Sequence, residues 1–311
     1  MNVLVTGGAG FIGSHLAEAL LEAGHKVVVI DDLSTGSRKN VPSKVKFHRV
    51  DIGSAVVDKI FEKGKFDCVF HLAAQTSVSV SMKNALRDAE VNILGGIYLL
   101  RAAGRHGVKK FIFSSSVAVY GEQKSFPARE SHPQNPVNPY GLSKLTFERY
   151  LSFFGRNHGF QYISLRYSNV YGPRQNSLGE AGVIAVFCSR LAGGQKVIIY
   201  SDGRQTRDFI FVKDVVRANL MALKFKGSGE FNIGTSKETN INQLYETIAK
   251  LNDSDVRANH VSPRAGDQRR SCIAFDKAKR ALRWSPKAVL SAGLEETVSY
   301  FQSEASTLDS F

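Results

Sequence analysis

Tyr140-Gly141-Leu142-Ser143-Lys144 opens a helical stretch directly behind the helix-breaking segment NPVNP. The i, i+4 spacing sets the phenol of Tyr140 and the ammonium of Lys144 on one helical face. A free phenol titrates near ~10, and an adjacent cation favours its phenolate, so the pair is a candidate general base near neutral pH. The same spacing arises by chance in many helices as a half-exposed surface pair. A second cluster gives it weight: Ser114-Ser115-Ser116-Val117-Ala118-Val119-Tyr120-Gly121, at the end of a predicted strand, where one hydroxyl can hydrogen-bond a reacting oxygen. A base and a hydroxyl donor at one place suit oxidation of an alcohol, which needs a hydride carrier.

The chain carries a signature for that carrier. Its first predicted strand runs into Thr6-Gly7-Gly8-Ala9-Gly10-Phe11-Ile12-Gly13 and then into a helix. Gly7 allows the sharp turn, Gly10 lets backbone N–H groups approach a pyrophosphate, and Gly13 lets the helix pack on the strand, which together make a dinucleotide loop. The second strand ends at Ile30-Asp31-Asp32, where a carboxylate can accept hydrogen bonds from ribose hydroxyls and repel a 2′-phosphate. NAD, not NADP, is therefore expected, and its cationic nicotinamide ring would further favour the phenolate of Tyr140. Asp31 could equally cap the following turn. Asp51, after the third strand, is a candidate for the adenine ring or a helix cap.

The elements that must position these residues follow βαβα order. Apolar runs at 2–6, 26–30, 45–50, 67–72, 110–115 and 162–167 predict strands, with helices near 12–23, 54–62, 85–106 and 140–157. Strands that are apolar throughout, without alternation, imply a doubly wound parallel sheet covered on both faces, a Rossmann-type α/β fold. The expected division is an NAD-binding domain at 1–170 and a smaller, interleaved C-terminal substrate domain at 171–311. Within the latter, FIFV, a helix at 213–223 and EFNIG read as a return to the sheet around 209–235.

Composition excludes several other classes. Across 311 residues, hydrophobic residues make up 43% and charged residues 22%, which suits globular domains with real cores. No stretch nears the roughly 20 apolar residues that span a bilayer, and the N-terminus breaks into glycines where a signal peptide would be apolar, so a cytoplasmic protein is expected. Cys68, Cys188 and Cys272 are odd in number and widely spaced, against both a disulfide framework and a zinc site; no metal is expected. His15, His71 and His158 have no partner spacing for metal or triad work and are expected to be structural. The net charge of +13 comes from scattered lysines and arginines with no run above two, which argues for a small anionic substrate over nucleic acid.

The three elements together resemble the extended branch of the short-chain dehydrogenase/reductase superfamily, and most nearly its UDP-glucose 4-epimerase group. The resemblance rests on TGGAGFIGS, HLAA at 71–74, SSSVAVYG, PYGLSK, LRYSNVYGPRQ and RDFIFVKDV, and it spans nearly the whole chain. It implies that Ser116 is the catalytic hydroxyl, Tyr140 the base and Lys144 its electrostatic partner and nicotinamide-ribose ligand. The cofactor set it implies is Gly7, Gly10, Phe11, Ile12, Gly13, Asp31, Asp32, Asp51, Ile52, Leu72, Ala73, Ala74 and Asn92 with the Tyr140–Lys144 pair. Related dehydratases and decarboxylases resemble patterns with an acid where this chain has Val117 and Ala118, so elimination is disfavoured. Thr76 departs from a lysine that some epimerases carry near the cofactor.

For the substrate, the resemblance maps diphosphate ligands onto Asn169, Arg207 and Arg264, a uracil neighbour onto Tyr200, and the width of the sugar pocket onto Ser271. Two guanidiniums beside a diphosphate are chemically sensible, since each donates paired hydrogen bonds. The expected activity is an NAD-dependent UDP-hexose 4-epimerase, an isomerase acting through a transient 4-keto sugar. UDP-glucose and UDP-galactose are the expected pair, with room for N-acetylated sugars. A UDP-glucuronate epimerase or decarboxylase and a non-catalytic dinucleotide-sensing protein are the alternatives. A homodimer built on the helices near 85–106 and 140–157 is implied by analogy.

Overall fold

The computed structural model describes residues 1–177, 182–263 and 268–308. In its first half the chain runs β1 (Asn2–Thr6), α1 (Phe11–Glu22), β2 (Lys26–Asp31), β3 (Lys46–Arg49), α2 (Val56–Gly64), β4 (Cys68–His71), α3 (Val78–Lys83), α4 (Ala85–Ala89), α5 (Gly96–Arg105), β5 (Lys110–Ser116), α6 (Pro139–His158) and β6 (Gln161–Tyr167). Strands such as Val3–Val5, Val69–Phe70 and Phe111–Phe113 are buried on both sides, because α1 packs on one face of the sheet and α2, α5 and α6 on the other.

The remainder runs β7 (Asn169–Tyr171), α7 (Val183–Ala192), β8 (Ile198–Tyr200), β9 (Thr206–Arg207), β10 (Phe209–Phe211), α8 (Val212–Lys224), β11 (Gly229–Ile233), β12 (Thr239–Asn240), α9 (Ile241–Leu251), β13 (Asn259–Val261), β14 (Arg270–Ser271), α10 (Asp276–Leu282) and α11 (Leu290–Leu308). Among the described residues the main sheet has seven parallel strands in the order β11-β6-β5-β4-β1-β2-β3. The order reverses between β1 and β4, so the ligand crevice of such a sheet lies at the carboxyl ends of these strands. A separate core joins α7, α9 and α11 to β8 and β10.

Three expectations need correction. The run at 85–106 is not one regular helix: a wide π turn at Glu90–Gly95 separates α4 from α5. Its buried Asn92 bonds outward to Gln75, Asp88 and Ser143. Phe209–Phe211 does not join the main sheet but pairs with Asn169–Tyr171, and it is β11 that lies beside β6. Helix α3, capped by Ser77 accepting from Val80 N, was not anticipated.

Candidate active site

The glycine loop turns where β1 meets α1. Gly7 has φ 70°, its N–H donates to Ile30 O at 2.8 Å, and a Cβ there would meet Ala73 N at 2.5 Å. A Cβ on Gly13 would meet Gly7 O at 2.1 Å, so α1 can approach the loop this closely only without a side chain. No side chain caps the N-terminus of α1 at Gly10, which leaves the first N–H groups, those of Phe11, Ile12 and Gly13, for an anionic ligand. An uncapped helix end above a cradle that any Cβ would fill suits a pyrophosphate, so these residues fit NAD.

Asp31 is buried and does two jobs: Oδ2 accepts from Ala9 N and Oδ1 from Leu33 N, both at 2.9 Å. Burial pushes its carboxyl up while the two backbone N–H groups hold it down. Each oxygen keeps a lone pair, so the turn cap and a ribose acceptor are compatible. Asp32 caps the next turn through Ser34 N and Oγ, and the exposed Asp51 accepts from Gly53 N at 2.7 Å. Ile52 is buried under α5. Leu72 and Ala73 reach the crevice by donating from their backbone N–H groups to Thr6 O at 3.1 Å and Thr6 Oγ1 at 3.3 Å; Ala74 follows. The other side of Thr6 Oγ1 meets His71 Nδ1 at 2.8 Å, and stacking among Phe111, Phe113 and Phe147 buries the His71 ring and pushes it down to about 3. It is a neutral structural residue, as expected. His15 and His158 also serve packing and backbone contacts.

Helix α6 brings Tyr140 and Lys144 to this crevice. Asn138 Oδ1 accepts from Gly141 N at 2.8 Å, Pro139 takes the first helical position, and Ser81 Oγ accepts from Tyr140 N at 3.2 Å. Gly141 lets the helix lie against the turn at Val117–Tyr120, since a Cβ would meet Ala118 O at 2.5 Å. The Ser116 hydroxyl lies near enough to the Tyr140 phenol to favour its charged form. Lys144 donates to Ser114 O at 3.0 Å and lies over the rings of Phe113, at 4.8 Å, and Tyr140, at 5.7 Å.

Burial shifts both members of the pair. Burial pushes the Tyr140 phenol up to about 12, against the pull of Ser116, and Asp88 adds to the rise. Burial pushes Lys144 down to about 8, against Asp88 and Glu148. The ammonium alone therefore does not make Tyr140 a base at neutral pH, because Lys144 is anchored on a carbonyl and the phenol's own desolvation is the larger effect.

Of the residues expected to bind substrate, Asn169, Arg207 and Ser271 are brought together through short ladders. Asn169 N donates to Asp208 O and Asp208 N to Ser271 O, both at 2.9 Å, and Arg207 pairs with Ser271 across β9 and β14. Asp208, fully buried, holds this junction by accepting from Thr235, Ser236 and Ile273; nothing in its local spacing had marked it. Ser271 is 3% exposed. Tyr200 ends β8, pairs with Val261 and accepts at its carbonyl from Gln205 Nε2 at 2.8 Å, just before β9. Arg264 lies outside the described residues. No cluster able to hold a metal ion occurs among the described residues, and none of their helices is long and apolar enough to cross a membrane. Sequence reasoning also missed Glu148 and Arg166, an ion pair beneath the serines at 2.6 Å.

Comparison with known proteins agrees with this geometry. The family model described as NAD dependent epimerase/dehydratase matches residues 3–234. A UDP-glucose 4-epimerase of Mycolicibacterium smegmatis is 39% identical, with 98% of this chain and 100% of the relative covered. The crystal structure of a UDP-glucose 4-epimerase from Thermotoga maritima with UDP-glucose superposes with a TM-score of 0.96 at 45% identity, covering 98% of this chain and 99% of the other. That of Thermus thermophilus UDP-glucose 4-epimerase with NAD gives 0.93 at 42% identity, covering 97% and 99%. With the dinucleotide loop, the Tyr140–Lys144 pair and full-length likeness in one chain, this protein belongs to the NAD-dependent epimerase/dehydratase family.

Proposed function

We propose that the protein is a UDP-hexose 4-epimerase with resident NAD, interconverting UDP-glucose and UDP-galactose. The observation that carries the reading is Tyr140 beside Lys144 on one face of α6, with Lys144 held on Ser114 O, against a turn where Val117 and Ala118 supply no acid for elimination. NAD, when bound, accepts hydride from C4 of the sugar and returns it to the opposite face. Tyr140 Oη takes the C4 hydroxyl proton and gives it back when the 4-keto sugar is reduced, so no proton is gained or lost over the cycle. Ser116 Oγ bonds the same C4 oxygen and aligns it with the phenol. Asn169, Arg207 and Arg264 hold the diphosphate, Tyr200 lies by the uracil, and Ser271 borders the sugar at C2.

The division into an NAD-binding part at 1–170 and a substrate-binding part at 171–311 belongs to the same reading. So does a cytoplasmic setting, which suits three buried free thiols. The test is incubation with UDP-glucose, UDP-galactose, UDP-N-acetylglucosamine and UDP-glucuronate, products being resolved by chromatography and mass. Isomeric products of unchanged mass support the reading. Loss of carbon dioxide from UDP-glucuronate would make it a decarboxylase, and tightly held NAD with no turnover of any sugar would leave a dinucleotide-sensing protein.

A further inference from the structure

Tyr140, Lys144 and Glu148 follow one another at i, i+4 and i+8 on the face of α6 that lies along the end of β5. Each is set against one of three consecutive serines: the Ser116 hydroxyl favours the charged form of Tyr140, Lys144 donates to Ser114 O, and Glu148 Oε1 accepts from Ser115 Oγ at 2.6 Å. Glu148 and Arg166 are 3% and 2% exposed. Arg166 forks onto Glu148, Nε to Oε1 at 2.9 Å and Nη2 to Oε2 at 2.6 Å, and its Nη1 donates to Tyr120 Oη at 2.9 Å. Tyr120 in turn donates to Asn232 Oδ1 at 2.7 Å on β11. A buried ion pair of this kind stabilises no better than apolar side chains of the same volume, so fold stability alone does not account for its place beneath the catalytic residues.

We infer that Glu148, seated on Arg166, is a positioning residue for the Tyr140–Lys144 pair: it pins the helix face to the serine strand and supplies negative charge beside the Lys144 ammonium. The inference rests on the epimerase reading only in taking Tyr140 and Lys144 as the catalytic pair. The charged and titratable groups facing Lys144 are few. Asp88 of α4 and Glu148 of its own helix favour the ammonium, His71 of β4 is neutral, and Tyr140 carries its proton. The Arg166 charge is cancelled only while Glu148 is ionised.

The test reads Lys144 directly, by NMR of isotope-labelled lysine with the signal assigned by its loss in Lys144→Met. In Glu148→Gln the Lys144 midpoint should fall by at least about half a unit, because an opposing charge is lost and Arg166 is left uncompensated. Glu148→Gln with Arg166→Met removes both charges, should also lower the midpoint, and serves where the single variant does not fold. Ser115→Ala keeps both charges and loosens only the strand contact. It should lower kcat roughly 10-fold, with KM and the Lys144 midpoint unchanged. An unmoved midpoint in both Glu148 variants, or wild-type kcat in Ser115→Ala, overturns the inference. Should the wild type turn over no UDP-sugar, the epimerase reading fails while the midpoint still reports on Glu148.

Discussion

Burial pushes the Tyr140 phenol up, so on the epimerase reading a cationic nicotinamide ring beside it would supply the opposing pull. NAD should therefore lower the Tyr140 midpoint by at least about one unit, read as the ultraviolet difference between wild type and Tyr140→Phe with and without NAD; no shift would assign the base elsewhere. Tyr140→Phe should keep NAD and lose at least ~100-fold in kcat. Activity should fall as pH rises through about 8, where Lys144 loses its proton. Asp31 poses a different problem, since it braces Ala9 and Leu33 besides being the expected ribose acceptor. Asp31→Asn keeps one acceptor and is the cleaner variant: its preference for NAD over NADP should relax by ~10-fold or more, measured as the ratio of dissociation constants. Ser271 is small where a phenol would be bulky, and Arg269 and Arg270 are held at the surface by Asp202 and Glu238. UDP-N-acetylglucosamine should accordingly be epimerised, and Ser271→Tyr should cost it ~10- to 200-fold in kcat/KM relative to UDP-glucose. Equal ratios in the two proteins would remove Ser271 from specificity.

At the scale of elements, the loop and α1 behave as one piece, because Gly13 touches Gly7 without intervening side-chain atoms. Gly13→Ala forces 2.1 Å contact with Gly7 O, so the protein should purify with little NAD and melt lower by several degrees, an overpacking cost of ~1–3 kcal/mol. Wild-type NAD content in that variant would deny the loop its role. These glycines were legible because their constraint is local: a strand before, a helix after, and fixed spacing between. Five of the six predicted strands were legible for a similar reason, being largely buried on both faces, whereas the edge strand β3 is only half-buried. The π turn was not, since Asn92 leaves the helical pattern to satisfy Gln75 and Ser143, partners distant in sequence. Strands β9 and β14 are two residues each, too short for any periodicity, and exist because Asp208 gathers the chain around it. Glu148 stood in view four residues beyond Lys144, but its meaning depends on Arg166, which only the parallel pairing of β5 with β6 brings beneath it.

At the scale of the molecule, several of the apolar side chains left outside fall on one group of helices. Leu86, Leu94, Tyr98, Leu142, Tyr150 and Phe153 are each at least 40% exposed, and all belong to α4, the π turn, α5 and α6, which pack side by side. Apolar side chains grouped this way on a chain charged at +13 suit the homodimer that the family resemblance implies for these helices. A second copy is the occupant that fits: two such faces meeting about a two-fold axis bury both stripes at once, whereas a charged partner would leave the rings wet. The wild type should sediment as a dimer, and Phe153→Glu with Leu94→Glu should sediment as a monomer with unchanged far-ultraviolet dichroism. Because Tyr140 opens the same α6 that carries Tyr150 and Phe153, separation should also loosen the first turn of that helix, detectable as faster amide exchange at 140–148 and a lower kcat. A wild-type monomer at micromolar concentration, with the full activity of its family reaction, would leave the stripe without this function.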